Sequence, residues 1–243
     1  NGFIIRPDGS VALPPEEAVF AATAPLVAAD IENGICVPMA PHTLLSGNAT
    51  KAVPILVNQA IKYNITTIIM DVEPYPGVNG TKYCSAATAN LYADFLRGLV
   101  AGMHAHRKRV GMCIEMGCLL GPEYWALYAS TGVDVMQSMG STYSARTPTS
   151  NVSTNEAWLR RELAVLGGVS QLAVGIGSVS VADNPACWPP FLPNPYPTMY
   201  GWNESTLKSF MSFIEQAGFI DVDLYRADML QAAADCVPQY YSD

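Results

Sequence analysis

Stretches with apolar residues at helical spacing alternate along this chain with short, β-branched runs, and that alternation is its main pattern. Phe3-Ile4-Ile5 reads as a strand closed by the turn Pro7-Asp8-Gly9. A helix from about Pro15 to Asp30 leads to a strand at Ile35–Met39. An amphipathic helix over Val53–Tyr63 leads to a strand at Thr66–Met70. Ala86–His106 reads as a long helix, with Leu91, Phe95, Leu99 and Met103 marking its buried face at four-residue steps. Strands follow at Val110–Glu115, Val133–Met139, Gln171–Ile176 and Phe219–Leu224, separated by helices over Pro122–Ser130, Glu156–Leu166 and Ser205–Ala217. A last helix is expected at Ala227–Asp235. Between them, Ser178–Trp202 is a long Pro-rich loop, a kind of segment that is usually functional or disordered. Helices and seven strands in alternation, without repeat or linker, predict one domain over residues 1–243: an α/β fold, a parallel barrel or a doubly wound sheet, with a single TIM-type barrel the natural fit to the length.

The strand at Thr66–Met70 ends on Asp71-Val72-Glu73-Pro74. In parallel α/β folds chemistry gathers at the carboxyl ends of strands. Period-two geometry points Asp71 and Glu73 the same way, and Pro74 stops the strand directly after them. A carboxylate pair there costs desolvation and is a candidate catalytic pair; the plainer alternative is an acidic loop edge matched to a nearby arginine. Glu115, at the end of the next strand, is a candidate second carboxylate or a salt-bridge partner, for example of Arg146. The basic run His104–Arg109 closes a helix whose dipole favours cations there, and this outweighs a metal or nucleic-acid role. Tyr75, Tyr143, Trp188, Phe191, Tyr196, Tyr200 and Trp202 offer flat faces suited to sugar rings, although each is equally a loop-packing residue. Asp221, Asp223 and Tyr225 end the last strand, where they can reach a barrel mouth.

Half of the 243 residues are hydrophobic and 14% are charged, enough apolar material for a large core. A net charge of -8 argues against a nucleic-acid partner, and no run is long enough to span a membrane. No signal-peptide stretch stands at Asn1, so either the mature end is shown or earlier residues precede it. Six cysteines without CxxC spacing point to disulfides rather than a metal. Placement of the strands suggests Cys36 with Cys84 and Cys187 with Cys236, leaving Cys113 and Cys118 to bond locally or remain thiols. Asn48, Asn64, Asn79, Asn151 and Asn203 each open an Asn-x-Ser/Thr sequon, against roughly 1.5 expected by chance. Together these predict a secreted glycoprotein that carries no metal or organic cofactor.

Asp71-Val72-Glu73 is similar to the last three positions of D-x-x-D-x-D-x-E, the fourth-strand motif of the chitinase-like glycoside hydrolases of family 18. Met139-Gly140-Ser141-Thr142-Tyr143 resembles that family's sixth-strand Met-x-Tyr with a wider gap. Leu172–Ile176 looks like the seventh strand, and Phe3–Ser10 resembles the second strand with its D-G-x turn. The chain departs from the motif at Thr66 and Ile69, where the family has aspartates. The resemblance implies a (β/α)8 barrel with the first strand missing from the chain. It further implies a glycan substrate, Glu73 as the acid that protonates the glycosidic oxygen, and Asp71 as the group that orients the sugar's acetamido as internal nucleophile. It makes Tyr143 and Met139 substrate contacts, joined by Tyr75, Trp188, Asp223 and Tyr225 at the mouth. With Ile69 in the inner position the usual like-charge coupling to Asp71 is gone, and Glu115 becomes a candidate partner for a conventional acid–nucleophile pair.

Two functions follow. One is an extracellular glycoside hydrolase. The other is an inactive, glycosylated barrel that binds a carbohydrate or assembles through the open edge left by the missing strand. Asn48, Asn79, Asn151 and Asn203 fall in expected loops after strands, on the face of Glu73, with Asn64 alone on the other face; a glycan at Asn79 would crowd the cleft and favours the second function. The retained Asp-x-Glu favours the first.

Overall fold

The computed structural model describes residues 3–29, 32–72, 83–114, 118–138, 151–166, 171–177, 204–218 and 221–225. Side chains are described within these ranges except at 118, 151–156, 158, 171, 175–177, 204–207 and 221–225. The chain divides into two compact units, residues 1–136 with 165–170, and residues 137–164 with 171–243.

The first unit opens with a hairpin, β1 (Ile4–Ile5) and β2 (Val11–Ala12), paired antiparallel. Its turn is tied by Asp8, which accepts from the Ser10 amide at 2.9 Å and the Ser10 hydroxyl at 2.6 Å, while Gly9 supplies φ +83. These bonds hold the Asp8 carboxyl below its ordinary range. Ile5 also bridges Met39 in parallel, so at Ile4 and Ile5 the outer edge of β1 is occupied by β2 rather than bare.

After α1 (Glu16–Ala28), β3 (Gly34–Pro38) pairs in parallel with β4 (Thr67–Asp71), and β4 with β5 (Arg109–Ile114). The connection from β3 carries α2 (Pro41–Leu45), a 3-10 turn at Ala49–Lys51 and α3 (Ala52–Lys62). That from β4 carries α4 (Ala86–His104), started by Ser85, whose hydroxyl accepts from the Thr88 amide. Along β4 and its extension, Ile68, Met70 and Val72 are fully buried, while Ile69 and Asp71 on the opposite face are partly open. The sequence predicts a short apolar strand here, and the structure gives it two unlike faces.

The buried face of α4 differs from the expected one at its start. Tyr92, Phe95, Leu96, Leu99 and Met103 are buried and Leu91 is exposed. A helix turns 3.6 residues, so a stripe of uniform four-residue steps drifts, and the buried stripe mixes steps of three and four. The basic end of α4 makes specific pairs. His104 Nε2 lies 2.9 Å from Asp134 Oδ2, which also accepts from the Val110 amide at 2.8 Å. Lys108 Nζ donates to the Ile65 carbonyl at 2.7 Å, and Arg109 pairs with Glu32 at 3.0 Å. These contacts pin the amino ends of β4 and β5. No group of three metal-ligating side chains occurs among the described residues. None of the described helices is long and apolar enough to cross a membrane.

α5 (Pro122–Ala129) packs on α4, and Trp125 Nε1 and Tyr128 Oη each donate at 2.6 Å to Leu120 and Leu119 carbonyls. β6 spans Val135–Ser138, α6 Asn151–Leu166, β7 Gln171–Gly177, α7 Glu204–Ala217 and β8 Asp221–Tyr225. In the second unit β7 and β8 are parallel, and Leu159, Val174, Phe210, Phe213 and Ile214 form the core. There the buried Glu162 accepts from the Ser138 hydroxyl at 3.0 Å. α6 starts earlier than the sequence suggests, so Asn151 opens a helix instead of lying in a loop.

α3 and α4 approach through Val53 and Val57 on one side and Gly98 and Gly102 on the other. A Cβ added to Gly102 would meet Val57 Cγ2 at 2.8 Å, whereas one on Gly98 would meet Val53 Cγ2 at 3.8 Å. Helix propensity alone favours both alanines by about 1 kcal/mol. Gly98→Ala should therefore stabilise the chain by about 0.5–1 kcal/mol, and Gly102→Ala should destabilise it by about 1–2 kcal/mol through overpacking. Denaturant unfolding of the two variants checks the opposite signs.

Candidate functional site

The site is built at the carboxyl end of β4, within the first unit. Its register places Ile69 opposite Cys36 of β3 and Gly111 of β5, and Asp71 opposite Pro38. The Met39 amide donates to the Asp71 carbonyl at 2.8 Å, fastening the two strand ends together beside the carboxylate. Asp71 Oδ2 lies 3.8 Å from Cys36 Sγ, a sulfur hydrogen-bond distance, and Cys36 is exposed. Both side chains come from regular strands, which fix their directions more tightly than loops would.

The two positions that depart from the family motif have structural work. Thr66 exchanges hydrogen bonds with Asn33: its hydroxyl accepts from the Asn33 amide at 2.8 Å and donates to the Asn33 carbonyl. Asn33 Nδ2 donates onward to the Asn64 carbonyl at 3.2 Å. This clasp ties the start of β3 to that of β4. Ile69 lies between glycines: a Cβ on Gly111 would meet its Cγ1 at 3.2 Å, and one on Gly34 would meet its Cδ1 at 3.8 Å. The same added atom at Gly111 would meet Val135 Cβ at 3.5 Å. The level beneath Asp71 is thus apolar and filled by the isoleucine, with the glycines leaving it room.

An aromatic group stands on α4 and α5. Tyr92 meets Tyr128 edge-on at 5.2 Å and stacks on Phe95 at 6.4 Å. The Tyr92 hydroxyl is buried and has no hydrogen-bond partner among the described residues. Burial, then the nearby Tyr128, Cys113, Asp71 and Cys36, push its phenol well above the ordinary range, so it is neutral at any working pH. Tyr128 is raised as well, chiefly by burial. Sequence reasoning missed Tyr92 and Cys36 as neighbours of Asp71. The signal for Cys36 was its place in the strand adjacent to the carboxylates; nothing in the sequence marked Tyr92 beyond its helical spacing.

Several expected site residues lie outside the described residues: Glu73, Tyr75, Asn79, Glu115, Met139, Tyr143, Cys187, Trp188, Asn203 and Cys236. Asp223 and Tyr225 stand in β8 opposite Gly175 and Gly177, with side chains not described. Among the sequons, Asn48 is half-buried and its Nδ2 donates to the Pro7 carbonyl at 3.3 Å. Asn64 is exposed in the turn before β4, at φ 50. The expected Cys36–Cys84 bridge is corrected. Cys36 carries a thiol, held in the β3 ladder opposite Ile69 and directed at Asp71, while Cys84 is disulfide-bonded to another cysteine. Cys113 is a buried thiol, and Cys118 opens the 3-10 turn Cys118–Leu120.

Removing a buried hydroxyl that lacks a partner relieves a desolvation cost. Tyr92→Phe should leave stability unchanged or raise it by up to about 1 kcal/mol in denaturant unfolding. A loss of more than about 1 kcal/mol would show that the hydroxyl is hydrogen-bonded in solution.

At the level of sequence, no protein-family model and no curated protein matches the chain. Solved structures do match. A chitinase from Chromobacterium violaceum superposes with a TM-score of 0.67 at 16% identity, covering 96% of this chain and 88% of its own. A family 18 chitinase from Crocus vernus gives 0.62 at 10% identity, covering 97% and 80%. A spore cortex-lytic enzyme from Bacillus cereus gives 0.62 at 11%, and of that protein the chain spans only 62%. At such identities the likeness is one of fold: this chain has a TIM-type α/β-barrel fold like that of the chitinases it superposes on.

Proposed function

We propose that the chain is a secreted, N-glycosylated glycoside hydrolase-like barrel whose glycan site lies at the carboxyl end of β4. The observation that carries this reading is the placement of Asp71: half-open at the strand end, on the face opposite the buried Ile68, Met70 and Val72. Glu73 follows two residues on in the sequence, and this reading takes it as the partner of Asp71. In this reading Glu73 is the general acid that protonates the glycosidic oxygen. Asp71 orients the acetamido group of the sugar so that its carbonyl oxygen attacks the anomeric carbon, and water then opens the cyclic intermediate. Tyr143 and Met139, and with them Tyr75, Trp188, Asp223 and Tyr225, are the substrate contacts that the sequence suggests. The nearby chitinase structures support a glycan as the substrate class, and the disulfide at Cys84 supports an oxidising, extracellular setting.

A second reading is favoured by one observation. Ile69 fills the level beneath Asp71 with methyl groups between Gly34 and Gly111, where the family motif has a carboxylate. A barrel that binds a glycan without turning it over would tolerate that apolar layer at no cost. Hydrolysis of N-acetylglucosamine oligomers and other β-linked glycans separates the two. In the hydrolase reading Glu73→Gln lowers kcat by about a thousandfold while stability moves by less than about 0.5 kcal/mol. An unchanged rate would place the chemistry elsewhere, and oligomer binding without turnover in the wild type would select the second reading.

A further inference from the structure

We propose that Cys36 is a positioning residue for Asp71, its thiol donating to the carboxylate and holding it in the orientation that the glycan site requires. This rests on the reading of Asp71 as the orienting carboxylate and adds the group that orients it. The sulfur lies 3.8 Å from Asp71 Oδ2. The β3–β4 register sets Cys36 opposite Ile69, two residues before Asp71, so the thiol reaches the carboxylate from the level beneath it. At that level Ile69 offers only methyl groups and Gly111 no side chain, so Cys36 supplies a polar hydrogen there. A thiol is a weak donor, yet its bond to an ionised acceptor is strengthened by the charge. The strand backbone on both sides is fixed by the ladder and by the Met39 amide on the Asp71 carbonyl, so the pair costs little side-chain entropy to hold. Tyr92 stands in the same electrostatic neighbourhood, but its hydroxyl makes no hydrogen bond to a described residue. The site would then have exchanged the family's carboxylate–carboxylate coupling for a thiol–carboxylate contact from the neighbouring strand.

The test joins kinetics to a spectroscopic signature, in the full chain with its disulfide intact. With N-acetylglucosamine tetramer as substrate, C36A should lower kcat about tenfold with KM within about twofold, and C36S, which restores a donor, should return kcat to within about threefold of the wild type. Thermal unfolding of each variant, run alongside, shows that the fold is retained. Independently of turnover, the infrared S–H stretch of Cys36, assigned by its loss in C36S, should move to higher frequency in D71A because the acceptor is gone. A band that stays in place in D71A overturns the proposal, as does a C36A variant with wild-type kcat. If the wild type turns nothing over but the band moves, the thiol–carboxylate pair stands and the failure belongs to the hydrolase reading. Tetramer affinity by calorimetry then takes the place of kcat: weakened by C36A and restored by C36S supports the proposal, and equal in all three overturns it.

Discussion

A parallel strand covered by helices on one face has a single face left for chemistry, and everything at this site follows from how β4 meets that constraint. Ile68, Met70 and Val72 are fully buried, and their burial fixes the register. A slip of one residue would drive Asp71 into the apolar layer and bring three large hydrophobic side chains to the open face, at a cost of several kcal/mol. The side of the strand on which Asp71 stands is thus decided by its apolar neighbours, and contacts such as that with the Cys36 thiol act on the carboxylate within that side. In β3 Val37 is buried while the exposed Cys36 stands in register with Ile69, and in β5 Val110 to Ile114 are buried on both faces, with Gly111 in register with Ile69.

Within that frame Thr66 and Ile69, which stand where the resembled motif has aspartates, each have a structural role. Thr66 fastens β4 to Asn33 through paired hydrogen bonds, and Ile69 fills a space that Gly34 and Gly111 leave open. An isoleucine there gains apolar contact while partly open, and it places no second carboxylate beside Asp71. On the adjacent strand the thiol of Cys36 lies 3.8 Å from the Asp71 carboxylate.

Much of this architecture could be read in the sequence because the strongest signals were periodic. The runs at Val53–Tyr63 and Thr66–Met70 read as an amphipathic helix and a short apolar strand, and they become α3 and β4 within a residue or two at each end. Leu91 was misplaced since a fixed four-residue step ignores the drift of a 3.6-residue turn. The hairpin strand β2 and the short helix α2 were not foreseen; each is too short for a period to register. The Cys36–Cys84 pairing failed for a different reason. Proximity of two strand ends does not specify where a side chain points, and the β3 ladder turns Cys36 toward Asp71. Contacts between strands, such as this thiol with its carboxylate or Tyr92 with Tyr128, depend on register and leave no mark on a single sequence.

The central claim is that Asp71 reads the acetamido group of a bound sugar. Calorimetry of the wild type with the N-acetylglucosamine tetramer and with cellotetraose, which differ at that group and are both uncharged, tests it most directly. The account predicts at least about tenfold tighter binding of the acetylated sugar, and loss of that preference in Asp71→Ala, since a buried polar partner left unpaired penalises the analogue that lacks it. Equal affinity for the two sugars, or a preference that survives in Asp71→Ala, would contradict it.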